Sequence, residues 1–468
     1  MQDASTQEEQ PQIPQELIDR IVEELFGDKD SLHSCALTSQ SFRVPSQKCL
    51  FHRIELYAEK QRWSHRGASF DEFTLNLCER LYSLFETSPH LANYIKDLAI
   101  FDPGDTWLTE ENSLPFILPL LTNLERIYIS GGLWEASLCI EDMLTPVKES
   151  LCAAIHSPKI THVGFQGVEF GSINDILSFL AGSTGLKSLT LFSVDVTDEE
   201  SGSDSGEPSG NQSLQCQLSS LSLFVKDPVL PHLVNWLTQS GSLNHLLQFS
   251  FIAENTEQLS IIDRVVLASK SSLQETNITL GSRVGDDDDD DDVEDHNNIP
   301  PSIPDLTPTH TLNLGFFMSS DNCQSVLNWW CNALDYASDS KSNLETVNMY
   351  ILTEADEVDD FEYSAPGWER LDKILAENLA RKDGDGVKLN IQLKLTEEMY
   401  REDEDDDDEE EVAQLHEISC EAMRKLGGAF PLLNQKKRLF VGEMTESVLS
   451  YFSRFFGTQL KTPTSQSV

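Results

Sequence analysis

The chain carries eleven histidines and nine cysteines, the side chains that most often hold metals or act as nucleophiles. Their spacing decides whether they can. A zinc-protease helix needs a second His four residues after the first, so that both ligands share one face. "HEISC" at His416 puts Cys420 there instead. "DGDG" at Asp383 begins like a calcium loop, but its twelfth position is Lys394, which removes the bidentate carboxylate. The seven consecutive aspartates Asp286 to Asp292 form a polyanion with no defined geometry. The cysteines at 35, 49, 78, 139, 152, 216, 323, 331 and 420 are odd in number and contain no Cys-x-x-Cys. Several lie inside apolar helical patterns, so buried free thiols in a reducing compartment are expected. An apolar neighbourhood raises a thiol's pKa and makes it inert. No Gly-x-Ser-x-Gly elbow occurs and no local spacing nominates a triad. The expectation is a chain with no catalytic residue, no metal and no cofactor: not an enzyme.

Charge narrows the partners. The formal net charge is -46 over 468 residues. Three windows, Asp198 to Glu207, Asp286 to Asp295 and Glu402 to Glu411, hold five, nine and ten acids and no Lys or Arg. Charge this dense self-repels and stays solvated. Disordered inserts are therefore expected at 198-212, 285-304 and 401-411, with helix persisting at the edges of the third. Phosphates need a basic face, so nucleic acid is not an expected partner. No apolar run approaches the roughly 18 residues that span a bilayer, and "MQDASTQEEQPQ" reads as neither a signal nor a transit peptide. A cytoplasmic or nuclear location is expected, with disordered ends at 1-12 and 458-468. Within the first insert, "DSGEPS" has the Asp-Ser-Gly-x-x-Ser form of a phosphodegron, making Ser205 and Ser209 candidate phosphorylation sites.

The opening segment 13-52 is apolar and patterned for helices. Pro14 suits a first helical turn. Leu17, Ile18, Ile21, Val22, Leu25 and Phe26 follow at spacings of one helix face, doubled. Asp28 or Asp30 can cap a second helix bearing Leu32, Cys35, Ala36 and Leu37. A third is expected in two pieces, with Phe42 before Pro45 and Leu50 and Phe51 after it, because Pro breaks a helix interior. Some forty residues bury too little surface to stand alone, so something must cover these side chains.

"IPQELIDRIVEEL", "SLHSCALTSQSF" and "CLFHRIEL" together resemble an F-box, most closely the F-box-like segments of a large group of proteins from mushroom-forming fungi. Ile13 stands where that family usually has Leu, and Phe42 where many members have Trp. The resemblance implies a grip on the Skp-type adaptor of a cullin (SCF) ubiquitin ligase. By position it makes Ile13, Pro14, Leu17, Ile18 and Ile21 contact candidates, and Leu25, Leu32, Leu37 and Phe42 contact or support residues. The competing expectation is a helical cap on the remainder of the chain.

That remainder, 53-457, repeats. Apolar-x-x-apolar-x-apolar recurs, as Phe51, Ile54, Leu56; Ile95, Leu98, Ile100; Leu124, Ile127, Ile129; Ile160, Val163, Phe165; Leu186, Leu189, Leu191; and Leu218, Leu221, Leu223. Looser copies lie at Leu243 and Leu246, at Leu273, Ile278 and Leu280, around Leu312, Leu344, Leu389 and Leu439. Helical patterns separate them. Strand, helix, strand at such intervals implies parallel pairing. The expected fold class is therefore α/β: a three-helix head, then an irregular αβ solenoid. It resembles a degenerate leucine-rich repeat, although Gly132, Val194 and Lys226 stand where that repeat has Asn or Cys. A doubly wound enzyme core is the other reading, but no Gly-x-Gly-x-x-Gly or P-loop follows any strand.

Taken together, the resemblance implies a substrate receptor: a monomer within a hetero-complex that holds an unknown target on its strand-lined face or nearby loops, where Tyr128, Phe165 and Phe192 are candidates, core positions being the other and favoured reading of each. The alternative is a non-catalytic acidic scaffold for basic proteins such as histones.

Overall fold

The computed structural model describes residues 13–57, 77–102, 107–132, 137–197, 216–225, 229–253, 256–280, 306–317, 323–339, 342–354, 366–379, 386–396 and 409–444. Ser205, Ser209, the first two acidic inserts and both chain ends lie outside them. The chain divides into two compact units, Met1–Glu169 and Phe170–Val468.

The first unit opens with three helices, α1 (Gln15–Glu23), α2 (Lys29–Thr38) and α3 (Gln40–Leu50). Four parallel strands follow, β1 (Arg53–Tyr57), β2 (Asp97–Asp102), β3 (Arg126–Gly131) and β5 (His162–Gln166), paired in the order β1-β2-β3-β5. A short pair, β4 (Leu138–Cys139) and β6 (Val168–Phe170), flanks them. The register is strict. Ile54, Leu98, Ile127 and Val163 form one row, and Leu56, Ile100, Ile129 and Phe165 the next. Those rows are the second and third positions of the repeated pattern, and nearly all of their members are buried.

Among its described residues the second unit continues this plan with eight strands: β7 (Ser188–Val196), β8 (Ser220–Val225), β9 (Gln248–Ala253), β10 (Glu275–Leu280), β11 (Thr311–Phe317), β12 (Thr346–Glu354), β13 (Lys388–Thr396) and β14 (Leu439–Glu443). All neighbours are parallel and in sequence order. Parallel neighbours taken in sequence order need crossovers, which as a rule are right-handed and so lay successive helices on one face. Accordingly Val229–Gln239 packs on Thr256–Ala268, and Cys323–Asp339 on Pro366–Lys373. Fully buried Trp330 and Trp368 fill this layer, Trp330 edge-on to Phe316 and Trp368 edge-on to Phe430. Each unit is thus a stack of strand–helix repeats, an αβ solenoid arrangement with parallel strands.

Two details differ from the sequence expectation, and a third follows it. The copy at Leu243 and Leu246 has its strand half at Phe249 and Phe251, which sit in the apolar rows beside Leu221 and Leu223. In the next copy Thr276 occupies an apolar position, and its buried hydroxyl bonds Thr309 Oγ at 3.0 Å. The helix Glu409–Gly428 begins inside the last acidic window, so Glu409 to Glu411 form the helical edge expected of the third insert.

Candidate functional site

The head is built from short-range signals. Pro14 enters α1 at φ -54°, and its carbonyl accepts from the amides of Leu17 (3.1 Å) and Ile18 (3.3 Å). The helix stops at Glu23, short of Leu25 and Phe26, whose amides turn back to Val22 and Glu23. Gly27 then takes φ +100°, a left-handed conformation costly for other residues. Asp28 caps α2, accepting from the Ser31 amide at 3.1 Å.

Pro45 does not break the third helix: α3 runs unbroken from Gln40 to Leu50. Proline has no N–H for the Ser41 carbonyl four residues back. That carbonyl instead accepts from Gln15 Nε2 of α1 at 3.0 Å, so the missing bond becomes a tie between helices.

Ile18, Val22 and Leu32 make a private core, with Leu25, Phe42, Cys49 and Leu50 packed against it. Ile18 is 6% exposed, so this contact candidate is spent inside the head. Leu32 is buried as well, and Leu25 and Phe42 support from the side. The remaining residues face outward. Leu17 and Ile21 are each 51% exposed and Leu37 is 86% exposed, while Ile13 and Pro14 are also exposed. Leu17 and Ile21 lie one turn apart on α1 and so share a face, and Ile13 precedes the helix next to its N-cap Pro14. Exposed Phe26 and Val44 add to the head's apolar surface. From the sequence Phe26 was read only as part of the doubled face of the first helix, and Val44 was not singled out. Phe26 lies edge-on to His52, with ring centroids 5.3 Å apart.

Of the aromatic candidates on the strand-lined faces, two take the core reading. Phe165 and Phe192 are buried, and Tyr128 is half-buried with its hydroxyl bonded to Gln166. In the second unit the row facing away from the core is polar instead. Asn277, Asn313, Asn348 and Asn390 fall into register on β10 to β13. Their amides form a ladder. Asn390 Nδ2 donates to Asn348 Oδ1 at 2.7 Å, Asn348 Nδ2 to Asn313 Oδ1 at 2.6 Å, and Asn313 Nδ2 to Asn277. Asn277 Nδ2 ends the run on Ser250 Oγ at 2.8 Å. The signal was present as "TNITL", "LNLGF", "VNMYI" and "LNIQL", an Asn between the buried residues of four successive strands.

Among the described residues no three His, Cys, Asp or Glu side chains group to hold a metal ion. Among those residues, too, no helix is long and apolar enough to cross a membrane. Cys152 and Cys420 each lie within 4 Å of a His one turn away, His156 and His416. Partial burial raises the Cys152 thiol, which disfavours a nucleophile. No family model matches the chain, and no curated protein matches it.

Proposed function

We propose that the chain is the substrate-receptor subunit of a cullin-type SCF ubiquitin ligase, acting without bond-making of its own. The head binds a Skp-type adaptor and, through it, a cullin. The strand–helix repeats hold a target protein near the ubiquitin-charged partner. Holding raises effective concentration, so proximity supplies the acceleration. The chain works as a monomer within this hetero-complex, in the cytoplasm or nucleus. One observation carries the reading: the head completes its own core with Ile18, Val22 and Leu32, yet leaves Ile13, the Leu17–Ile21 face of α1 and Leu37 in water. Apolar faces of this kind are what a partner helix seats on.

The test mixes the full chain with the Skp-type adaptor of its own organism. Leu17→Asp and Ile21→Asp place a charge at the contact without touching the head's core. Each is expected to cost about 3 kcal/mol, over a hundredfold in affinity, with unchanged circular dichroism. Binding indifferent to both substitutions, or absent at micromolar concentration, defeats the reading. Salt-sensitive capture of histones with no adaptor binding would favour the acidic scaffold instead.

A further inference from the structure

We propose that the apolar end of the second unit's sheet is the docking site for a segment of this same chain, residues 448–456, which closes the stack there. This contact does not depend on the ligase reading above.

β14 is the last described strand, and its core row is the one that burial leaves unfinished. Leu439 and Val441 continue in register from Leu389 and Ile391, which continue from Val347 and Met349. Those four earlier residues are each 0% exposed, whereas Leu439 and Val441 are only half-buried. The repeat plan gives the reason. A helix between two strands covers both: Glu409–Gly428 follows β13, precedes β14 and packs on each. An interior strand therefore lies under the helix before it and the helix after it. Among the described residues β14 has only helices that precede it. Stacked repeats need a terminal element to close such an end.

Residues 445–468 lie outside the described ones; sequence and tether name the occupant among them. Val448, Tyr451, Phe452, Phe455 and Phe456 fall at i, i+3, i+4, i+7 and i+8, the spacing of one helix face, and Leu449 borders it. Ser447, Ser450, Ser453 and Arg454 fall on the opposite side. A segment of this pattern already follows β8, where Val229–Gln239 buries Val229, Leu230, Leu233, Val234 and Leu237. The tether has the right length as well. Three residues separate β8 from that helix and two separate β9 from Thr256–Ala268, while four separate Glu443 from Val448. An apolar face tethered so close to an open apolar row meets it at high effective concentration. A second copy of the chain would bring its own net charge of -46 to the same place and be repelled.

Hydrogen exchange of the full chain, read by peptide mass, is the test. Expected over 449–456 is exchange at least about tenfold slower than in a free peptide of that sequence, and equal at about 1 and about 20 µM protein. Phe452→Asp with Phe455→Asp should abolish that protection and speed exchange over 439–443 by about tenfold. Phe452→Leu should retain it. Unchanged exchange over β10 to β12 verifies that the fold survives the substitutions. Free-peptide exchange over 449–456 in the unsubstituted chain overturns the proposal, as does exchange over 439–443 that ignores the double substitution. Protection that grows with protein concentration overturns it too, by making a second copy the occupant.

Discussion

Burial sets the chemistry of single side chains here. It pushes the Cys331 thiol up to about 12 and the Cys216 thiol to about 11. Cys78 is pushed up further, by burial and then by the Glu111 carboxylate. Cys420 is exposed. A thiol reagent at pH 8 is expected to label Cys420 in the native chain and the other three only after unfolding, read by peptide mass mapping. Asp28 shows the opposite effect: hydrogen bonds from Ser31, side chain and backbone, hold its carboxyl below the ordinary aspartate range. A lowered folded value means the cap's contribution is present above the unfolded value near about 4 and is lost as pH falls through the lowered one. Asp28→Ala should therefore destabilise the head at neutral pH, and the difference should fade only as pH falls through the lowered value, measured by hydrogen exchange over α2. Buried Asp372 caps another helix, Pro431–Gln435, accepting from the amides of Leu432 (2.8 Å) and Leu433 (2.9 Å).

Among elements, the head separates two roles that its sequence blends. Ile18→Ala or Leu32→Ala removes a member of a three-residue core and should cost about 2–4 kcal/mol. Leu37→Ala removes an exposed side chain and should stay within about 0.5 kcal/mol. Denaturant melts followed by exchange over 15–50 would separate them. The strands were legible because each parallel strand repeats the same buried positions, a local pattern that needs no partner to be seen. The copy at β9 was obscured because Phe249 and Phe251 replace aliphatic residues. The unbroken α3 was not legible at all, since the donor that satisfies Ser41 lies 26 residues away on Gln15.

For the whole molecule, a net charge of -46 sets a self-repulsion that salt relieves. Raising NaCl from about 10 mM to about 150 mM shortens the screening length from roughly 30 to 8 Å. The melting temperature should rise by a few degrees, followed by calorimetry.

The sequence by itself determined the strand–helix alternation, the parallel pairing and the three-helix head, because side-chain period and capping are local properties of the chain. Only the tertiary structure decided which apolar row of α1 turns inward. Leu17 and Ile18 are neighbours of similar hydrophobicity, and contacts with Leu32, Cys49 and Leu50 select one of them. Only the register of the sheet, likewise, set asparagines 35 to 42 residues apart side by side as one hydrogen-bonded row.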